Sequence, residues 1–282
     1  MNPEIDFAGR QLIGSRETQE DYYGFCPLTA EADGIDGLLV VLADGMGAYA
    51  GGSVASRLVV EAFIENFCFS RGRIPDRLRN SLRASERRLK EEIARQEESL
   101  KKMGSTLVGA VWTPGQLHWV SVGDSGLYLF RDGEVKRINA DHSMAPVIEA
   151  LAARGEISPE EAAHHPDRNA LRSAIADRPL ELFELRDLPF ELEPGDIVLA
   201  ATDGLTSLSP GVLAAQLEIN LSSPADLIAA ALLKAVEDVQ KRKQDNATVA
   251  VIRNAAKAEQ VQTRVLKKRP SQPSGNSQEE NI

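Results

Sequence analysis

The sequence predicts an α+β fold in which two packed sheets, mostly antiparallel, carry helices against them. Two observations lead there. First, three apolar runs each place an aspartate at a strand end. Residues 38–43 lead into Asp44-Gly45, residues 196–202 deliver Asp203-Gly204, and Asp245-Asn246 immediately precedes residues 247–252. Runs so apolar read as buried strands. Second, residues 106–113, 117–122, 126–131 and 134–138 form a succession of strand-like segments, with turns at Pro114-Gly115 and Asp132-Gly133. Asp-Gly suits the positive backbone angles of a type I′ hairpin. So much consecutive β structure argues against a purely parallel βαβ arrangement and fits two packed sheets.

In chain order, residues 10–14 read as a short strand, residues 14–21 as a polar loop and residues 22–25 as a second strand. The central strand at 38–43 is followed by a glycine-rich turn and a helix opening at Ser53. Across 54–67, Val54, Leu58, Phe63 and Phe67 fall near helical spacing. A more charged helix spans 75–102, with Pro75 suited to its start. Its apolar stripe of Leu78, Leu82, Leu89, Ile93 and Leu100 is narrow. A coiled-coil arm and a helix lying on a sheet both fit, and the incomplete stripe favours the sheet. Residues 143–176 switch to a helical pattern punctuated by Pro146, Pro159 and Pro166, which reads as an inserted helical flap. Strand character returns at 182–188 and 197–202. Helices follow at 210–217 and 225–240, the second opening at Ser222-Ser223-Pro224. Residues 1–253 thus read as one domain, and 254–282, without apolar periodicity, as a disordered tail.

The 282 residues suffice for a full core. A net charge of −10 argues against a nucleic-acid surface and is compatible with a divalent-metal site. Cys26 and Cys68 are too few for a disulfide framework and lack metal-ligand spacing, so they read as small buried residues in a reducing compartment. No stretch is long and apolar enough to cross a bilayer, and the N-terminus has acids but no apolar signal-peptide core. The expectation is a cytoplasmic chain without a membrane partner; its oligomeric state is not legible.

Mg²⁺ and Mn²⁺ prefer oxygen ligands, chiefly carboxylates. The candidates are Asp21, Asp44, Asp203 and Asp245, with the Gly45 carbonyl and Glu20 as further ligands. Carboxylates gathered at one sheet edge repel one another unless cations neutralise them. Arg16, upstream in the same loop as Glu20-Asp21, offers a fork that can grip two phosphate oxygens. Two metals, a bridging hydroxide and an arginine clamp make a site for in-line attack on phosphorus. An isolated Asp-Gly is most often a plain turn, and Asp132-Gly133 reads as one. The combination carries the signal.

In their order these motifs resemble the metal-dependent protein phosphatases, the protein phosphatase 2C-like family. They are Arg16 with Glu20-Asp21, Asp44-Gly45-Met46-Gly47 with Gly51-Gly52, and Met103-Gly104-Ser105-Thr106-Leu107. Val122-Gly123-Asp124-Ser125, Asp141-His142-Ser143, Thr202-Asp203-Gly204-Leu205 and Asp245-Asn246-Ala247-Thr248 follow. Together they span residues 9 to 253, and the Asp-Gly-Met-Gly form resembles the bacterial branch. The resemblance implies a four-layer αββα sandwich and a protein serine/threonine phosphatase with two Mn²⁺ or Mg²⁺ ions. Its partner would be a phosphorylated protein. It assigns Asp44 as the ligand bridging both metals and the Gly45 carbonyl as a ligand of one. Asp203 and Asp245 ligate one metal, Glu20 and Asp21 hold water or metal at the other edge, and Arg16 grips the phosphate. Asp124 would help bind a third, weaker metal, with residues 143–176 as the flap.

Some positions depart from the family pattern. Met46 stands where some members carry histidine, leaving metal-bound water as the proton donor. Ala48, Tyr49, Gly126 and Ala176-Asp177 also depart, and they bear on flap docking and substrate choice. His142 reads as structural; Asp141 fits a ligand or a turn residue, and the turn is favoured. Two rival readings fit parts of the sequence. Gly45-x-Gly47-x-x-Ala50 fits a dinucleotide-binding turn, but Asp44 would face the pyrophosphate and residues 68–72 hold no acid. A non-catalytic phosphatase-like module is the other, and the full ligand set favours an enzyme.

Overall fold

The central strand, Gly37–Met46, is buried on both faces, and its alternation sets the layers. Leu38, Val40 and Leu42 enter one apolar cluster, whereas Leu39, Val41 and Ala43 enter another. A strand with no solvent face needs no polar alternation, which is why its sequence is an unbroken apolar run. The computed structural model describes residues 1–47, 50–96 and 102–254.

The elements begin with β1 (Phe7–Leu12), β2 (Asp21–Leu28), α1 (Ala30–Asp33), β3 (Gly37–Met46), α2 (Gly51–Phe69) and α3 (Ile74–Arg95). Then come β4 (Gly104–Ser105), β5 (Leu107–Thr113), β6 (Gln116–Val122), β7 (Gly126–Arg131) and β8 (Glu134–Arg137). After them stand α4 (Ala145–Ala153), α5 (Pro159–Ala163), β9 (Glu184–Leu185), β10 (Phe190–Glu191) and β11 (Ile197–Ala201). A 3₁₀ turn (Asp203–Ser207), α6 (Pro210–Ile219), α7 (Ala225–Asp238) and β12 (Ala247–Arg253) complete the order. One sheet runs β1-β12-β11-β7-β8. The other runs β10-β6-β5-β3-β2, with β4 on β3 and β9 on β6. All these strand pairs are antiparallel. The parallel βαβ unit that a dinucleotide site needs is therefore missing among the described residues.

Between the sheets lie Leu38, Val40, Leu42, Trp119, Leu127, Val198 and Ile252, among others. On the outer face of the β3 sheet, Val59, Phe63 and Phe67 of α2 and Leu78, Leu82 and Leu89 of α3 share a second cluster. On the outer face of the other sheet, Leu213 and Leu217 of α6 and Ile228, Leu232 and Val236 of α7 form a third. Two helical layers thus enclose two sheets, the α+β sandwich the sequence points to. The α3 stripe is narrow because α3 packs alongside α2 as well as on the sheet. There buried Ser81 and Ser85 satisfy their hydroxyls on the Arg77 and Val59 carbonyls.

Several boundaries differ from the sequence reading. The first strand starts at Phe7 rather than residue 10 and ends before Ile13, which is exposed. The charged helix stops at Arg95, while residues 97–101 lie outside the described ones. In 143–176 only α4 and the short α5 are helical. Gly155 (φ 76°) ends the first, Pro159 opens the second, and isolated bridges Ser143↔Leu171 and Ser105↔Ile175 tie the rest down. Strand 182–188 shrinks to β9, which pairs with β6 only through Glu184 and Leu185. Asp132 (φ 52°) and Gly133 (φ 79°) adopt the positive angles of the I′ hairpin. Cys26 and Cys68 are half-buried rather than buried, their Sγ atoms 2.7 Å apart. Asn254, which the sequence gives to the tail, is buried and bonded to the body; residues 255–282 lie outside the described ones. Among the described residues no helix is long and apolar enough to cross a membrane.

Candidate metal centre

Antiparallel register places Asp21, the first residue of β2, opposite Asp44 near the end of β3. Like charges facing each other across a ladder are unfavourable, so the pair needs a compensating partner. Asp21 Oδ2 accepts hydrogen bonds from the hydroxyls of Thr202 (2.8 Å) and Thr248 (2.7 Å), which flank the other sheet's two site aspartates in sequence. The backbone of Asp44 is pinned by Thr106: its N–H reaches the Thr106 hydroxyl at 2.9 Å, and its carbonyl accepts from the Thr106 N–H and the Ser105 hydroxyl.

Beyond Asp44 the chain runs against the start of α2. A Cβ on Gly45 would stand 2.0 Å from the Gly52 carbonyl oxygen, and one on Gly52 would stand 2.5 Å from Glu20 Oε1. Only glycine lets β3, α2 and Glu20 approach so closely. The Gly45 N–H donates to the Glu20 carbonyl. Thus the glycine-rich turn is a close-packing device that brings Glu20 beside the Asp-Gly pair.

The loop bearing Arg16 is held from the segment that leads into β12. Buried Asn246 donates to the carbonyls of Ile13 (2.8 Å) and Thr18 (3.1 Å) and accepts from the Glu20 N–H (2.8 Å). Gln244 accepts at its carbonyl from the Ser15 N–H and hydroxyl, and its side chain donates to the carbonyls of Gly204 and Asp245. Neither residue was assigned a role from sequence, yet each sits within one position of Asp245.

Arg16, Glu20, Asp44, Gly45, Asp124, Asp203 and Asp245 together line one cavity of about 560 Å³. Asp21 lies behind it, buried against its two threonines. Met46, Leu171, Ala174, Asn169 and Arg178 add the side toward the flap. Arg16 does not point freely into this space: its guanidinium lies 2.5 Å from Asp245 Oδ2. The side chains are gathered round the cavity without three closing to ligand distances, among the described residues.

The carboxyl groups of the site perturb one another. Burial, then Asp21, Asp203, Asp124 and Asp245, push the Asp44 carboxyl well above its usual range. Burial lifts Asp21 to about 7 against the pull of Thr248 and Thr202, with Asp203 and Asp245 adding to it. Asp124 also rises to about 7, through burial and then Asp203 and Asp141, while Arg137 opposes. Asp203 is raised by burial and Asp245, and Glu20 by burial with Arg16 opposing. Buried Asp203 Oδ1 has no hydrogen-bond partner among the described residues. An orphaned carboxylate oxygen beside mutually repelling acids fits a hard cation with oxygen ligands.

Of the remaining candidates, Asp141 sits at a turn, accepting from the Ser143 N–H and paired to Arg137. Burial lowers the His142 pKa, and this buried imidazole is not on the cavity wall. On the flap His164 is exposed and His165 half-buried. Arg137, unremarked in sequence, donates to the carbonyls of Asp124 and Ser125 and so fixes the Asp124 turn.

The family model for protein phosphatase 2C matches residues 8–244. The chain is 34% identical over 170 residues to the serine/threonine protein phosphatase PstP of Mycobacterium tuberculosis, covering 60% of this chain and 32% of that protein. It thus spans about a third of the length of that curated relative. In structure it is similar to the M. tuberculosis serine/threonine phosphatase PstP/Ppp, with TM-score 0.73, 29% identity, and 89% and 99% of the two chains covered. The catalytic domain of PstP in complex with two manganese ions gives TM-score 0.68 and 29% identity over 88% and 96%.

Proposed function

Since the chain belongs to the protein phosphatase 2C family, we propose that it hydrolyses phosphoserine and phosphothreonine in proteins with Mn²⁺ or Mg²⁺. The observation that carries this reading is the convergence of Glu20, Asp44, Asp203 and Asp245 on one cavity with an orphaned Asp203 oxygen and Arg16 at its edge. Asp44 would be the ligand shared by two cations, with the Gly45 carbonyl, Asp203 and Asp245 on one, and Glu20 and Asp21 toward the other. Asp124 would serve a third. When bound, the cations supply Lewis acidity and an activated water for in-line displacement at phosphorus.

The chain's own residues have distinct tasks. Thr202 and Thr248 favour the ionised form of Asp21 by donating to one of its oxygens, against the lift that burial gives it. Thr106 and Ser105 fix the backbone of Asp44, so its carboxylate is aimed before any ligand arrives. Arg16 is paired to Asp245, and a phosphoryl group offers its fork a better match. On substrate binding the guanidinium would leave Asp245 for two phosphoryl oxygens, releasing Asp245 as a ligand. Among the described residues no histidine or cysteine lines the cavity, which fits a reaction without a covalent histidine or cysteine intermediate.

Phosphate release from a phosphothreonine peptide and a matched phosphotyrosine peptide, with Mn²⁺ present, tests the reading. Turnover of the first well above the second is expected. Preference for phosphotyrosine, or no release from either, would sink it.

A further inference from the structure

Ala174 and Arg178 line the metal cavity and also a second, adjoining pocket of about 400 Å³. Arg172 stands on the wall of that second pocket. Both arginines are exposed, and neither guanidinium holds a carboxylate or a carbonyl among the described residues. That is unlike Arg10, Arg131, Arg137 and Arg168, each ion-paired to an acid. The one carboxylate on the same wall, Glu181, is exposed and makes no ion pair with either arginine. On a chain of net charge −10, two uncommitted guanidinium forks beside the acidic cavity are a local reversal of sign.

A guanidinium fork matches the geometry of a carboxylate and keeps its charge at any working pH. The shared wall sets the two pockets side by side. An extended peptide advances about 3.3 Å per residue, so a side chain one to three residues from the group in the metal cavity can reach the next pocket. Resting on the phosphatase reading above, we propose that this pocket is a substrate subsite for an acidic side chain flanking the phosphoresidue. Arg172 and Arg178 then select phosphoprotein segments in which Asp or Glu lies beside the phosphoserine or phosphothreonine. Glu181 opposes them and tempers the preference.

The test uses the full chain with Mn²⁺ and two phosphothreonine peptides of one sequence, the flanking residues being Asp in one and Ala in the other. The wild type is expected to favour the acidic peptide about tenfold in kcat/KM, two partly exposed contacts being worth about three- to fivefold each. Arg172→Ala and Arg178→Ala should each cut the ratio about threefold, and the double variant should bring it near one; for Arg172→Ala, which is off the metal cavity, the loss should fall on KM rather than kcat. Arg172→Lys should retain more of the preference than Arg172→Ala, Glu181→Gln should raise it, and added salt should shrink it. Thermal melts confirm that each variant is folded. A wild type that turns over both peptides equally would overturn the proposal. So would a double variant that slows both to the same degree, since a fixed ratio means no contact with the flank. Should the wild type release phosphate from neither peptide nor an aryl phosphate, the phosphatase reading itself falls and the subsite with it.

Discussion

Replacing Asn246 with alanine tests how the site is held together. This buried side chain makes three hydrogen bonds, two donated to the carbonyls of Ile13 and Thr18 and one accepted from the Glu20 N–H. All three partners belong to the loop that carries Arg16 and Glu20 over Asp245. A neutral hydrogen bond is worth about 1 kcal/mol net, and partners left unpaired add to the loss, so Asn246→Ala should cost about 3 kcal/mol. For a chain of this size that lowers Tm by about 6–12 °C. Asn246→Asp keeps the acceptor for Glu20 but removes both donors and sets a charge beside Asp245, so it should also destabilise. Thermal unfolding by circular dichroism reads the first effect. Steady-state kinetics reads the second, a rise in KM as Arg16 and Glu20 lose their support. A variant melting within 2 °C of wild type would show that the loop is held by something other than Asn246.

Three further outcomes follow from the geometry. In chelator, Asp21 and Asp124, raised from 3.8 to about 7, bind more protons folded than unfolded; their stabilisation is complete below 3.8 and is lost as pH rises through about 7. The metal-free protein should therefore melt higher at pH 5 than at pH 8, and Mn²⁺ should remove that deficit; a higher melt at pH 8 in chelator refutes the sign. Arg16→Ala should keep metal affinity by calorimetry while kcat/KM falls roughly thirty- to a thousand-fold; an unchanged kcat/KM would remove Arg16 from the phosphate site. Ending the chain after Arg253 rather than after Asn254 discards a buried residue that accepts from Trp112 Nε1 and donates to the carbonyls of Glu193 and Asp196. The shorter form should be less stable by about 2 kcal/mol, read by denaturant titration, and equal midpoints would contradict it.

The parts of this fold that are legible in sequence are those where one physical requirement dominates. Burial on both faces writes an apolar run into β3, and the I′ angles write Asp-Gly at 132–133. The site aspartates are visible because a charged residue at the end of a buried strand is costly without a purpose. Register is not legible. That Asp21 faces Asp44 depends on the register of β2 on β3, and that Thr202 and Thr248 reach Asp21 depends on how strands some 200 residues apart, in different sheets, come together. The same holds for Asn246 and Gln244, whose partners lie far away in the chain; their only trace is a buried amide next to a site aspartate. The segment 143–176 misled because its apolar residues anchor turns and isolated bridges as well as helices. Asn254 looked like tail because a single polar residue shows no periodicity, though four hydrogen bonds hold it.

The central claim is that oxygen ligands around Asp44 and Asp203 hold the cations on which phosphoester hydrolysis depends. The measurement that meets it most directly is aryl phosphate hydrolysis by metal-stripped protein during titration with Mn²⁺, wild type beside Asp203→Asn. The account predicts no turnover before metal is added, saturable recovery in the wild type, and recovery lowered at least about a hundredfold in the variant. Full turnover without metal, or wild-type recovery in Asp203→Asn, would contradict it.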